Sequence, residues 1–290
     1  MSGNRDKAEA VGPTAGAALG RRRWALVGPL VLLLSGWTPG AVWPGPNSEG
    51  GAILGDASRP TVGAAEMREP HSGSLLIEYY RSFLRDRDLD GFRDRVAARY
   101  AEPTLCRILV SCPWPNARRG AVLALGVLGT YDGCNTLLGK AMRDPDPVVR
   151  VMAERALWII WFRADTPENN QALEEVRLLA ANEQLDEALD RASRLIDRAP
   201  RFAEAYNQRA IAYFKLGRYA ESAEDCRRTL NLNPYHIGAL GGLAQCQLEL
   251  DQPREALKTL RRALRLQPHS QPLGEAIRAI EARLESDGPR

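Results

Sequence analysis

The fold is decided by residues 203–234, which read AEAYNQRAIAYFKLGRYAESAEDCRRTLNLNP. Small and apolar residues recur at helical spacing on both sides of Gly217, so the stretch predicts two antiparallel helices joined by a short turn. Gly217 suits the left-handed residue that ends a helix. Pro234 suits the boundary of the second helix, because proline cannot continue a helix. The stretch therefore predicts an all-helical hairpin.

The hairpin recurs at an offset of 34 residues in both directions, without a gap. The columns of the alignment hold prolines (Pro200, Pro234, Pro268) and small or apolar residues (Ala188, Ser222, Ala256; Val176, Ala210, Ala244). Glu183 and Asp251 stand in the column of Gly217. Residues Gln271–Ser286 carry apolar residues at helical spacing and predict a helix that caps the open end of the stack. Residues 164–290 thus predict three stacked hairpins and a capping helix.

This pattern resembles the tetratricopeptide repeat. The resemblance implies an α-solenoid whose first helices line a concave groove that binds a protein or peptide partner. The groove positions that the resemblance assigns to partner binding are Arg177, Glu204, Asn207, Gln208, Lys215 and Gln245. Their amides suit an extended peptide backbone, and their cations suit an acidic side chain.

One known ligand code of the family is not expected in this groove. The carboxylate-clamp subfamily uses Lys, Asn and Arg at defined groove positions, and here those positions hold Leu173, Arg177, Gln208, Gly238 and Gly242. Capture of a C-terminal carboxylate in that manner is therefore not predicted. The three glycines Gly238, Gly241 and Gly242 either permit close helix packing or open the groove floor, and the sequence leaves both interpretations open.

A second periodicity precedes the first. At an offset of 32 residues, Pro113, Pro115 and Arg118 align with Pro145, Pro147 and Arg150. The segment from Asp144 to Arg150 resembles the turn and second helix of a HEAT repeat, with Asp146 as the helix cap and Pro147 in the first turn. Residues 73–163 are therefore interpreted as HEAT-like helical repeats.

An aromatic run, Trp158-Ile-Ile-Trp-Phe162, ends the HEAT-like part. It is either a partner-binding patch or the packing between the two repeat arrays. The second interpretation is favoured, because a bare aromatic cluster in water invites aggregation.

The N-terminus has the features of a targeting segment. Arg21–Arg23 precede an apolar run of export-signal shape, so residues 1–43 are predicted to be a signal peptide or an uncleaved signal anchor. Residues 44–72, rich in Pro, Gly, Ser and Ala, predict a flexible linker. We expect a protein of the cell envelope, exported or membrane-anchored, whose membrane contact is confined to residues 24–43.

The sequence contains no recognised catalytic, metal-binding or phosphate-binding motif. Residues 169–286 contain 17 Lys and Arg against 17 Asp and Glu, so no overall basic excess indicates nucleic acid. The five cysteines lack metal or redox spacing and are interpreted as core residues. His236 and His269 lie beside prolines and are predicted to be solvated loop residues. We expect no cofactor, no bound metal and no catalytic residues.

The favoured function is a non-catalytic scaffold or adaptor that binds a protein partner in its groove. The alternative is an accessory subunit of an envelope enzyme, docked through the HEAT-like segment. An unrecognised hydrolase is a third and weaker hypothesis.

Overall fold

The computed structural model describes residues 75–286, and this range contains thirteen helices and no strand. The helices are α1 (Leu75–Asp86), α2 (Leu89–Ala97), α3 (Glu102–Ser111), α4 (Pro115–Leu128), α5 (Tyr131–Ala141), α6 (Pro147–Trp161), α7 (Pro167–Ala181), α8 (Leu185–Arg198), α9 (Ala203–Lys215), α10 (Tyr219–Leu232), α11 (Ile237–Glu249), α12 (Pro253–Leu266) and α13 (Gln271–Ser286). The prediction of an all-helical solenoid is confirmed. The predicted targeting segment and linker lie outside the described residues.

The 32-residue periodicity of the upstream segment, α1–α6, has a counterpart in hydrogen bonds. Arg118 donates to the carbonyl oxygens of Cys112 and Pro113 at 2.9 and 3.0 Å. Arg150, one offset later, donates to the carbonyl oxygens of Asp144 and Pro145 at 2.8 and 3.1 Å. Each arginine therefore holds the proline turn that precedes its own helix.

Two bidentate ion pairs join successive hairpins of the upstream segment. Arg118 donates to both oxygens of Asp144 at 2.8 and 2.9 Å, and Arg119 donates to Asp146 at 3.0 and 2.6 Å. Asp146 also accepts from the Val149 N–H at 2.9 Å, which confirms its predicted role as the cap of α6. Burial would raise the pKa of Asp146, but the bonds from Arg119 and Val149 outweigh it and hold that pKa below its usual range.

Arg163 fixes the chain where it leaves α6. Its guanidinium is buried against the C-terminus of α4 and donates to the carbonyl oxygens of Gly126, Val127 and Gly129 at 2.7, 2.5 and 2.9 Å. Burial lowers the pKa of this arginine. A cation at a helix C-terminus also interacts favourably with the helix dipole.

The downstream array, α7–α13, stacks its hairpins in register. Helix α9 packs between α7 and α11, and the second helix of each hairpin packs on the first helix of the next. The predicted small columns are fully buried where the helices cross. Capping helix α13 packs on α12.

The turn between the two helices of each hairpin has one geometry whatever residue occupies it. Glu183, Gly217 and Asp251 have φ of 61°, 74° and 57°. In each case the following N–H bonds to a carbonyl five residues back, from Gln184 to Leu179, Arg218 to Tyr213 and Gln252 to Gln247. This is the pattern of a left-handed helix C-cap. The repeat therefore imposes a left-handed residue even where the sequence supplies Glu or Asp.

The upstream segment docks on the loops that connect successive hairpins of the array. The Tyr131 hydroxyl donates to the carbonyl oxygen of Leu232 at 3.4 Å, and the Gln267 amide donates to Glu154 at 2.9 Å. The ring of Tyr235 lies so close to Gly139 that an added Cβ there would stand 2.3 Å from a ring carbon. Ile237 belongs to the same apolar cluster as the upstream helices. We call this contact the junction.

Within residues 75–286, none of the helices combines the length and the apolar character that crossing a bilayer requires.

Candidate partner-binding surface

His236 lies at the centre of the junction. Its ring stacks on Trp161 with centroids 4.2 Å apart and planes at 19°, and Trp158 meets it edge-on at 5.4 Å. The interpretation that the aromatic run packs between the two arrays is confirmed. The prediction that His236 is a solvated loop residue is wrong, because its side chain is 0% exposed. His269 is exposed as predicted.

The hydrogen bonds of His236 determine its tautomer. Its Nδ1 accepts the Ala239 N–H at 3.0 Å and so caps the start of α11. Nε2 therefore carries a proton, which it donates to Glu204 Oε2 at 2.7 Å. A histidine at this position thus performs two tasks, as a helix cap and as a donor to a buried carboxylate.

The Glu204 carboxylate accepts hydrogen bonds from three side chains. Its side chain is 0% exposed, and its second oxygen accepts from Asn207 Nδ2 at 2.8 Å and Gln208 Nε2 at 2.7 Å. All three residues lie on α9 within one helical turn, which places their side chains on one face. A buried carboxylate is tolerated only where such donors replace the water that it has lost.

Two asparagines extend the network towards the upstream helices. Trp161 Nε1 donates to Asn135 Oδ1 at 2.8 Å, and Asn135 Nδ2 donates to Asn233 Oδ1 at 3.2 Å. These side chains lie on α5, on α6 and in the α10–α11 loop. The junction is therefore a polar network enclosed by aromatic rings.

The comparisons with known proteins identify the family. The model of the tetratricopeptide repeat matches residues 201–268. A TPR repeat-containing protein of Rhizobium etli is 30% identical over 152 residues, which are 50% of this chain and 70% of that protein. The chain belongs to the tetratricopeptide-repeat family.

Other similar proteins share the repeat over a smaller part of their length. Human WD and tetratricopeptide repeats protein 1 is 37% identical over 83 residues, 28% of this chain and 12% of that protein. Hsp70-Hsp90 organizing protein 1 of Glycine max is 29% identical over 109 residues, 38% of this chain and 19% of that protein. Among solved structures, the first TPR of Spaghetti (RPAP3), bound to an HSP90 peptide, is 26% identical with a TM-score of 0.40, covering 42% of this chain and 96% of that one.

The tetratricopeptide-repeat array brings three of the predicted groove residues together, since Glu204, Asn207 and Gln208 share one hydrogen-bonded cluster. Arg177 and Lys215 lie elsewhere, in the C-terminal half of α7 and at the end of α9. Arg177 pairs with Glu174, and Lys215 Nζ donates to Glu183 and to the Ala180 carbonyl oxygen at 2.8 Å each. Both side chains keep a minor exposed fraction, 14% and 18%. Partner binding by these residues stays a prediction.

Gln245, the last predicted groove residue, shares an unusual property with Asn207. The Nε2 of Gln245 donates to Glu249 at 3.0 Å, as Asn207 Nδ2 donates to Glu204. Because each amide nitrogen faces a carboxylate, the orientation of the amide is fixed. The opposite oxygens, Asn207 Oδ1 and Gln245 Oε1, are buried and accept no hydrogen bond from the described residues. Such an acceptor is rare in a folded protein and suits an external donor.

The cysteines fit the interpretation as core residues in part. Cys134, Cys226 and Cys246 are buried, whereas Cys106 and Cys112 are half-buried, and all five are free thiols. Burial raises the pKa of Cys134 to about 12. Residues 75–286 contain no cluster of His, Cys, Asp and Glu that is suited to holding a metal ion.

Proposed function

We propose that this chain is a non-catalytic scaffold that holds a protein partner along the first helices of its tetratricopeptide-repeat array. The observation that carries the proposal is the pair of oriented amide oxygens, Asn207 Oδ1 and Gln245 Oε1, which accept no bond from the described residues. The backbone N–H groups of an extended peptide are donors of the required kind. Because both oxygens are buried, the partner displaces neighbouring side chains as it binds.

We expect the junction to limit the part of the first helices that a partner can reach. Upstream helices contact the loop that leads into α11, so the N-terminal end of that helix is enclosed. Arg177, Lys215 and Glu249 lie towards the C-terminal ends of the first helices and are partly exposed. We place the partner's entry at these ends, where its acidic side chains compete with Glu174 and Glu183 for the two cations.

Affinity capture with the full chain tests the proposal. The variant Gln245→Met removes the acceptor at similar volume, and Gln252→Met is a matched control at an exposed amide in the turn after α11. We expect wild type and Q252M to recover the same partner from extracts of the source cell, and Q245M combined with Arg177→Gln to lose it at unchanged helicity. Equal recovery by all three proteins would refute the groove. Folded wild type that recovers no protein would refute the scaffold.

We also propose that residues 1–43 export the protein to the cell envelope. The basic flank before a short apolar run supports this. Fractionation with an antibody to the array tests it, and a cytoplasmic full-length chain would exclude export.

A further inference from the structure

The outer face of α12 differs in charge from the equivalent faces of the other hairpins. In the first hairpin four outward columns hold Asp190, Ser193, Arg194 and Asp197, and in the second they hold Glu224, Arg227, Arg228 and Asn231. In the third they hold Lys258, Arg261, Arg262 and Arg265. Two of these positions are occupied by aspartates in the first hairpin, so the fold does not require cations there. The overall charge balance of the array conceals this local excess.

The ion pairs of the three faces show the same contrast. Arg194 pairs with Asp190 at 2.7 Å and Arg227 with Glu224 at 3.2 Å. On α12, Lys258 pairs with Glu255 at 2.7 Å and Arg261 with Glu281 at 2.6 Å. Neither Arg262 nor Arg265 forms an ion pair with any carboxylate of residues 75–286. Burial and the neighbouring charge of Arg265 lower the pKa of Arg262, as expected for cations that lack a counter-charge.

A second element adds a cation to this face. Arg143, in the turn between α5 and α6, donates to the Arg265 carbonyl oxygen across the junction. Arg143, Arg261 and Arg265, together with Leu264 and Pro268, line an open surface depression of about 410 Å³. Arginines from two segments of the fold therefore surround a small apolar floor.

We propose that this surface, the α12 pocket (Arg143, Arg261, Leu264, Arg265 and Pro268) together with Arg262, one helical turn before Arg265 on α12, binds an acidic segment of a partner protein. Guanidinium groups bind carboxylates through paired hydrogen bonds, and Leu264 and Pro268 suit an aliphatic side chain between two acids. A protein partner is favoured over nucleic acid because no aromatic ring lines the pocket to stack a base. The pocket is distinct from the groove and does not depend on the groove's function.

Fluorescence anisotropy with the full chain and a labelled peptide of alternating Glu and Leu tests the pocket. We expect salt-sensitive binding that weakens about tenfold or more in Arg262→Gln combined with Arg265→Gln, because two charge-assisted contacts are lost. Arg254→Gln, an exposed cation on the same helix, is the matched control and should bind as wild type does. The double variant removes no ion pair of the described residues, so it should keep the helicity and melting temperature of wild type.

Three results would overturn the inference. They are no binding at low salt, equal loss in R254Q and in the double variant, and tighter binding of single-stranded oligonucleotides or anionic vesicles than of the peptide. Because the double variant leaves Gln245 and Arg177 intact, failure here is distinguishable from failure of the groove.

Discussion

Removal of the Glu204 carboxylate is expected to destabilise the junction strongly. In Glu204→Ala, three buried donors lose their shared acceptor: His236 Nε2–H, Asn207 Nδ2 and Gln208 Nε2. A buried donor left without a partner costs about 1–3 kcal/mol. The amides of Asn207 and Gln208 can partly reorient towards other acceptors along α9. His236 cannot reorient, because its ring is held by the bond that Nδ1 accepts from the Ala239 N–H. Relief of the carboxylate's own burial offsets part of the loss. We expect a net decrease of about 3–5 kcal/mol in the free energy of unfolding.

Glu204→Gln separates charge from shape. The new amide keeps an oxygen for His236 and presents its nitrogen to Asn207. Asn207 can invert its amide, so that the oxygen that lacks a donor in the wild type accepts from the new nitrogen. We therefore expect a smaller decrease for E204Q, about 1–2 kcal/mol. A larger decrease in E204Q than in E204A would contradict the assigned hydrogen bonds.

The assay combines urea unfolding with amide hydrogen exchange. Repeat arrays unfold in parts, so one midpoint does not report on every hairpin. Exchange should accelerate at residues 204–208 and at Ala239, whose N–H depends on His236, while α1 and α2 keep their protection. Glu224→Ala, an exposed carboxylate on α10, is the control and should change stability by less than about 0.5 kcal/mol. Unfolding of E204A and E224A at the same urea concentration would refute the stabilising role of Glu204.

Two other features of the structure, at Glu154 and at Gly217, give testable changes in stability. Burial raises the pKa of Glu154, whose carboxylate accepts a hydrogen bond from Gln267, so the ionised form of Glu154 lowers the stability of the fold at neutral pH. Glu154→Gln should therefore stabilise the chain near pH 7, and the gain in stability should shrink as the pH falls through the raised pKa. A gain that does not depend on pH would exclude this cause. At the left-handed turn of the second hairpin, Gly217→Ala should destabilise by about 1 kcal/mol in thermal unfolding, because no atom crowds the added methyl group and only the backbone responds; an unchanged melting temperature would contradict it.

The repetitive part of the fold was predictable because equivalent positions have equivalent surroundings. The column of Glu183, Gly217 and Asp251 predicted a turn, and all three residues adopt the same left-handed backbone. Arg118 and Arg150 are one 32-residue offset apart, and both hold the turn before their helix, whereas the HEAT-like interpretation of this segment stays a prediction. The sequence repeat therefore predicted those features that depend on contacts within a single repeat unit.

Alignment of the repeats could not predict the junction, because its residues differ in type from those at the equivalent positions of the other hairpins. His236 aligns with Phe202 and Ser270, and Glu204 aligns with Asn170 and Gly238. Such residues have no equivalent in the neighbouring units, and their partners come from distant segments, as Trp161 does for His236. One signal was present in the sequence: a polar residue three positions before Ala239 at a helix start suggests a cap, and a cap is not a solvated loop residue.

The proposed partner contact Asn207 is hydrogen-bonded to the polar network of the junction, which would link the two repeat segments in function. Asn207 offers its oxygen to a partner only while its nitrogen is held by Glu204, and Glu204 is held by His236 under Trp161. On the proposed function, the upstream segment would therefore fix the orientation of one partner contact. An isolated array of residues 164–290 would lack both tryptophans and expose His236 to water, which competes for the same hydrogen bonds. On the proposed function, Trp161→Ala should therefore weaken partner recovery in affinity capture, although Trp161 lies on α6 and not on a first helix of the array.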